Sequence, residues 1–239
     1  MKRKVLATAL IAALPYISHA AEWGYGEENG PDHWGHFAEV CASGKNQSPV
    51  DIQNAAASDL DDLELSYHGQ VVDILNNGHT LQGGVEGHNV LTIDDTEFEL
   101  KQFHFHTPSE NLINNQSYPL EAHFVHADQN GNLAVVAVMY EVDDKNNQVA
   151  QLSQSLPTAG ETTALDQPFA VKSMLPEFDG YYRFSGSLTT PPCSEGVRWL
   201  VLNNSQHLSQ EQADALHQVM GDNNRPVQDI YARQILLSQ

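Results

Sequence analysis

Three histidines carry the first chemical signal. In Gln102-Phe103-His104-Phe105-His106, an extended strand would place Gln102, His104 and His106 on one face and the two phenylalanines on the other. A second run, Glu121-Ala122-His123-Phe124-Val125-His126, would put Glu121, His123 and Val125 on a common face. If both runs share a sheet, three imidazoles converge, a frequent ligand set for catalytic zinc. Gln102 and Glu121 each stand two residues before a candidate ligand, on the same face. Each is placed to accept the second ring N–H of its histidine, as metal-bound imidazoles usually require. His-x-His alone is weak, but a third histidine and two partners in register make a much stronger metal signal. A closed structural zinc site would want a fourth protein ligand, and none is evident nearby.

Several elements must position this pattern. Strand signals fall at 63–68, 71–75, 80–85, 89–93 and 97–100, with Asn76-Asn77-Gly78 and Gly83-Gly84 as turn punctuation. The mostly apolar run Leu133–Val142 suits a buried central strand, and 181–185 and 197–202 are further strands. A short helix is expected over 145–156. A clearer one opens at Ser209 as N-cap, with Gln212 at the third helical position and Gly221 as its stop. Residues 22–50, rich in Gly, Pro and aromatics, read as an irregular segment pinned by Trp23, Tyr25 and Trp34. Many strands and few helices indicate an α+β domain built on one large sheet.

The N-terminus follows a different logic. Lys2, Arg3 and Lys4 precede a short apolar core, 5–14, and Ser18-His19-Ala20 supplies small residues where a signal peptidase reads. We therefore expect residues 1–20 to be a signal peptide and 21–239 a single domain, periplasmic or secreted. The apolar core is too short to span a bilayer, and no later stretch approaches the ~20 residues required. Without the leader, 8 Lys+Arg face 31 Asp+Glu, a charge near −23, so nucleic acid and anionic membranes are poor partners. The acid is scattered in short clusters, as on a solvated surface.

QFHFHTPSE followed by LEAHFVH resembles the metal-binding core of the α-class carbonic anhydrases. WGYG, GP-x-HWG, NQSPVDI, LNNGH, GSLTTPPCSEGV-x-W and NRPVQ also match, in the family's order, from Trp23 to Gln228. The resemblance implies a twisted, mostly antiparallel central sheet with a few short peripheral helices. It implies zinc held by His104, His106 and His123, and reversible hydration of carbon dioxide to bicarbonate and a proton by attack of zinc hydroxide. Thr189 matches the hydroxyl that orients the attacking group and Glu110 the carboxylate behind it; read alone, they are a turn residue and a solvated acid. His79 matches the proton shuttle, a task that suits imidazole, and Asn77 and Tyr25 match residues facing the active-site water. Without the family context His79 is a surface turn residue, and Tyr25 reads equally as a packing aromatic. Thr190 matches a contact to bicarbonate, Asn223 a backbone partner of His106, and Val125, Val135, Leu188 and Trp199 the apolar wall for carbon dioxide. Ordinary core packing competes with that last role, above all for Val135.

Two cysteines, Cys41 and Cys193, make an even count that in an exported chain suggests a disulfide. Extracellular and bacterial family members are similar in pairing these positions; free thiols and zinc ligation by the cysteines are the alternatives, the second disfavoured by two distant cysteines beside three better-placed histidines. Bacterial relatives are often dimers, so a homodimer is expected by the same resemblance. The remaining histidines take structural or surface readings, with His126 a hydrogen-bonded core residue. A cupin-type metal enzyme would share His104-x-His106-x3-Glu110, but that motif wants glycines where Phe98 and Ser117 stand. A metal-free binding protein of the same family would lack a ligand histidine, and all three are present. A zinc store would not need Glu110, Thr189 or His79.

Overall fold

The structure, a computed structural model, describes residues 23–238. The expected leader, 1–20, lies outside the described residues. Ten strands form the spine of a 13-stranded sheet. They are β1 (Ala56–Ser58), β2 (Gln70–Asn76), β3 (Leu81–Glu86), β4 (Thr96–His106), β5 (Leu120–Ala127), β6 (Leu133–Val142), β7 (Thr162–Ala170), β8 (Tyr181–Ser187), β9 (Glu195–Leu202) and β10 (Leu236–Ser238). Their spatial order is β7-β2-β3-β4-β5-β6-β9-β8-β10-β1. Along this path β6–β9 and β10–β1 are parallel, and the other pairs are antiparallel. The α+β class and the mostly antiparallel sheet are as expected. No helix among the described residues is long and apolar enough to cross a membrane.

The sheet separates two apolar layers, and β6 shows why its sequence is almost wholly apolar. Ala134, Val136, Val138 and Tyr140 join one layer, while Val135, Ala137 and Met139 join the other. A strand buried on both faces has no polar face to alternate with. Next to it, β5 and β4 alternate: Phe103, Phe105, Ala122 and Phe124 face the first layer. Phe103 packs so closely over β3 that a Cβ on Gly83 would lie 2.1 Å from its ring, so only glycine fits opposite it.

The expected break between a strand at 97–100 and the histidine strand does not exist; both belong to β4. A β-bulge shifts its register against β5 between Leu100 and Gln102. Phe98 and Leu100 are buried at even positions and Phe103 and Phe105 at odd ones, all in one layer. The extra residue, Lys101, reverses the phase of the alternation, and a reversed phase reads as two strands in the sequence.

The helix expected over 145–156 is shorter: α-helical at Asn147–Leu152, capped by the Asn146 side chain, then 3-10 at Ser153–Ser155. The later helix, Gln210–Met220, carries the full capping box of Ser209 and Gln212 and ends at Gly221. The N-terminal segment is more ordered than expected, with a 3-10 helix at Pro31–His36 and a helical turn at Val40–Ser43. Trp23, Tyr25 and Trp34 do pin it, meeting edge to face at centroid distances of 5.5 to 5.9 Å. Cys41 and Cys193 are disulfide-bonded, which ties this segment to the Thr-Thr-Pro-Pro loop across 152 residues.

Candidate metal centre

The β4–β5 register sets His104 directly across from His123 and His106 across from Glu121. One nitrogen of each of the three imidazoles lies within 4.8 Å of the others. The second nitrogen of each is engaged. His104 Nδ1 donates to Gln102 Oε1 at 2.9 Å, His106 Nδ1 to the Asn223 carbonyl at 2.8 Å, and His123 Nε2 to Glu121 Oε1 at 2.9 Å. These three acceptors fix the tautomers, leaving Nε2, Nε2 and Nδ1 as lone-pair donors toward one point. Desolvation, joined by the neighbouring rings, holds His104 and His123 well below the usual imidazole range; burial lowers His106 as well. All three are therefore neutral at pH 7, the form that binds metal.

Two buried carboxylates flank the triad. Glu121 receives four donors: the Glu110 and Asn111 amides at 2.7 and 2.8 Å, the Asn111 side chain at 2.7 Å, and His123. Burial raises its carboxyl above the usual range while the Asn111 and Glu110 donors oppose the shift. Only the ionised form satisfies four donors in full. Glu110 is less complete. Its Oε1 accepts the Arg225 amide at 2.9 Å, and its Oε2 lies 3.4 Å from His106 Nε2 and 3.9 Å from His123 Nδ1. Desolvation pushes its carboxyl well up, opposed by the hydrogen bond from the Arg225 amide and by the nearby Thr189 side chain. Among the described residues, His106 Nε2 and Glu110 Oε2 are the buried side-chain atoms left without a hydrogen-bond partner.

A cavity of about 150 Å³ opens onto this floor. Its lining gathers His104, His106, Gln102, Thr190, Tyr25, Asn77 and His79, together with Trp23, Thr80 and Gln82. His79 stacks on Trp23, centroid to centroid 3.9 Å. Burial first, then Glu110, pushes the Tyr25 hydroxyl above its ordinary range, with Arg225 opposing. Val125, Val135, Leu188 and Trp199 are not among the residues lining the cavity; they meet in the second apolar layer. Val135 and Trp199 are essentially buried there, whereas Val125 and Leu188 are half-buried. Trp199 touches His123 edge-on at 4.9 Å and donates to the Ser187 carbonyl.

Two contributors escape a reading of local sequence. Asn111 bridges Glu121 to the Val50 amide. Arg225 sends its guanidinium to Gln47, Ser48 and Cys41, binding the Glu110 region to the disulfide segment. Val50 lies 61 residues from Asn111, and the three guanidinium partners lie 177 to 184 residues from Arg225, so no local spacing marks these links.

The family model described as eukaryotic-type carbonic anhydrase matches residues 29–239. The chain belongs to the α-class carbonic anhydrases. A carbonic anhydrase of Neisseria gonorrhoeae is 43% identical over 97% of this chain and 94% of its own length. One from Pectobacterium atrosepticum is 44% identical over 92% of each. The solved α-carbonic anhydrase of Photobacterium profundum is 51% identical, with a TM-score of 0.88 over 90% of this chain and all of that one. The family accounts for the sheet, and the three converging nitrogens left open by the engaged second nitrogens form a group that could hold a metal.

Proposed function

We propose that this carbonic anhydrase uses zinc, held by His104, His106 and His123, and exports its proton through His79. The observation that carries the metal reading is the pair of orphaned buried atoms, His106 Nε2 and Glu110 Oε2, facing each other among three neutral imidazoles. Buried polar atoms without partners are costly, and a divalent cation at this point would engage the nitrogen and face the carboxylate. Three neutral nitrogen donors with no fourth protein ligand in the group among the described residues suit catalytic zinc, which supplies a bound water acidic enough to ionise near pH 7.

The chain's own groups would do the rest. Thr189, close enough to Glu110 to influence its carboxyl, would donate its hydroxyl proton to that carboxylate, present lone pairs to the site and so favour a nucleophile that still carries a hydrogen. Glu110 is held in turn by the Arg225 amide, which fixes the direction of that preference. Val125 and Leu188, backed by Val135 and Trp199, offer apolar surface suited to carbon dioxide. Thr190, on the cavity wall, would contact bicarbonate. His79 stands on the same wall with Asn77 and Tyr25, placed to pass a proton to buffer.

The test is stopped-flow carbon dioxide hydration by the mature protein as isolated, after chelation, and after zinc is restored. We expect activity to vanish with chelation and return with zinc. No hydration despite one zinc per chain would sink this reading. We also propose export, on the pattern of Lys2 to Ala20; N-terminal sequencing of protein from the cell envelope should begin near Ala21.

A further inference from the structure

We propose that the thioether of Met220 is a positioning group for proton transfer, tethering the turn that carries His79 to the loop whose Asn223 holds His106. The function given to the turn rests on the reading of His79 as proton carrier; the tether rests on contacts alone.

The β3–β4 ladder pairs Gln82 with His104 and Gly83 with Phe103 and runs no further toward the turn. One residue beyond it, the N–H of buried Leu81 donates to Met220 Sδ at 3.4 Å. The Thr80 hydroxyl lies 3.8 Å from the same sulfur, and Asn223 Nδ2 lies 3.9 Å from it. Asn223 Nδ2 also donates to the His79 and Phe105 carbonyls, both at 3.0 Å. The carbonyl of the same residue accepts from His106. One sulfur thus meets donors from the shuttle turn and from the loop that orients a candidate metal ligand.

A thioether is a weak acceptor, but a buried backbone N–H needs some partner, and leucine in its place would offer none. Met220 is delivered to this point by a well-anchored helix. Gln210–Met220 starts from a capping box, and Gln212 also bonds both ways with the Asn146 backbone. The chain then turns at Gly221, φ 66°, toward Asn223, a conformation that favours glycine. The other described methionines, Met139 and Met174, are buried in the apolar layers, and Met220 alone among them is bonded through sulfur to these donors.

The deciding variant is Met220→Leu, equal in bulk and without an acceptor, in the zinc-loaded protein. Amide exchange at Leu81 should accelerate about tenfold relative to Gly83, the equivalent of one lost hydrogen bond. In weak buffer kcat should fall roughly three- to tenfold while kcat/KM stays within about twofold, since the loss is confined to proton export. In a His79→Ala background the same substitution should change kcat no further. Met220→Gln, which restores an acceptor, should recover Leu81 protection and kcat, and it carries the test if the leucine variant does not fold. Unchanged Leu81 exchange in Met220→Leu would overturn the tether. Equal losses of kcat and kcat/KM in both backgrounds would reduce Met220 to a packing residue and overturn its positioning role. If His79→Ala alone leaves kcat untouched in weak buffer, the shuttle reading fails, and Leu81 exchange still decides the tether.

Discussion

His123 and His126 lie three residues apart on β5, on opposite faces, both buried. His123 gives one nitrogen to Glu121 and keeps the other for the point where His104 and His106 converge. His126 uses both: Nε2 meets the Tyr67 hydroxyl at 2.6 Å and Nδ1 the Ala134 carbonyl at 3.3 Å. Burial lowers both imidazoles below their ordinary range, so burial does not distinguish them. The number of occupied nitrogens does. A buried imidazole with one engaged and one open nitrogen is prepared for a metal, whereas one with two partners is a core element.

The harshest way to break this comparison is His123→Ala. It removes one of the three proposed ligands, and metal-assisted hydration should fall on the order of a thousandfold or more. Zinc per chain, measured after gel filtration, should fall with it. Full zinc retention with high activity would mean that His123 is no ligand. Glu121→Gln asks a milder question, because the ligand stays and only its orientation suffers. The new amide group would face the Glu110 and Asn111 donors or His123. Zinc affinity in chelator competition should drop roughly 10–100-fold, the usual penalty for losing such a partner. An unchanged affinity would show that Glu121 serves the fold rather than the metal.

A third histidine extends the contrast to a loop. His79→Ala should lower kcat at least about tenfold in weak buffer, recover with added imidazole, and leave kcat/KM near wild type. Loss of kcat/KM instead would place His79 in the carbon dioxide step.

These levels were unequally legible in the sequence. The faces of β4 and β5 follow from alternation, so Gln102, His104, His106, Glu121 and His123 could be placed together from their spacing. The bulge at Lys101 could not be foreseen, because a one-residue slip leaves only a phase change behind. β7 escaped notice for another reason. It is the edge strand of the sheet, largely exposed, and carries Pro168, which an edge tolerates and a central strand does not. The rim was readable only through family resemblance. Asn77 holds its own turn by accepting from the His79 and Thr80 amides, but the aromatic rings that line the cavity beside it, Trp23 and Tyr25, come from more than fifty residues away.

The mildest test leaves activity alone and asks whether His126 is the core element its two partners suggest. Burial outweighs its hydrogen bonds to the backbone and brings its pKa down to about 4 from the ordinary 6.5. Above pH 6.5 neither the folded nor the unfolded imidazole is protonated, and the stability contribution is fully present. Between 6.5 and about 4 the unfolded chain binds a proton that the folded chain refuses, so stability declines as pH falls. Below about 4 both states bind it and the decline stops. By pH 4.5 the loss should reach about 2–3 kcal/mol. His126→Gln keeps polar atoms for Tyr67 and Ala134 but cannot titrate. The difference in urea-unfolding free energy between pH 7 and pH 4.5 should therefore shrink by about that amount, with carbon dioxide hydration at pH 7.5 preserved. The other buried histidines are common to both proteins, so comparing the two isolates His126. An equal pH dependence would mean that His126 stays neutral in the unfolded chain too, or is charged in the folded one. A solvated chain forbids the first, so that result would mean a charged imidazole in the core and would overturn the reading of His126 as a neutral structural residue.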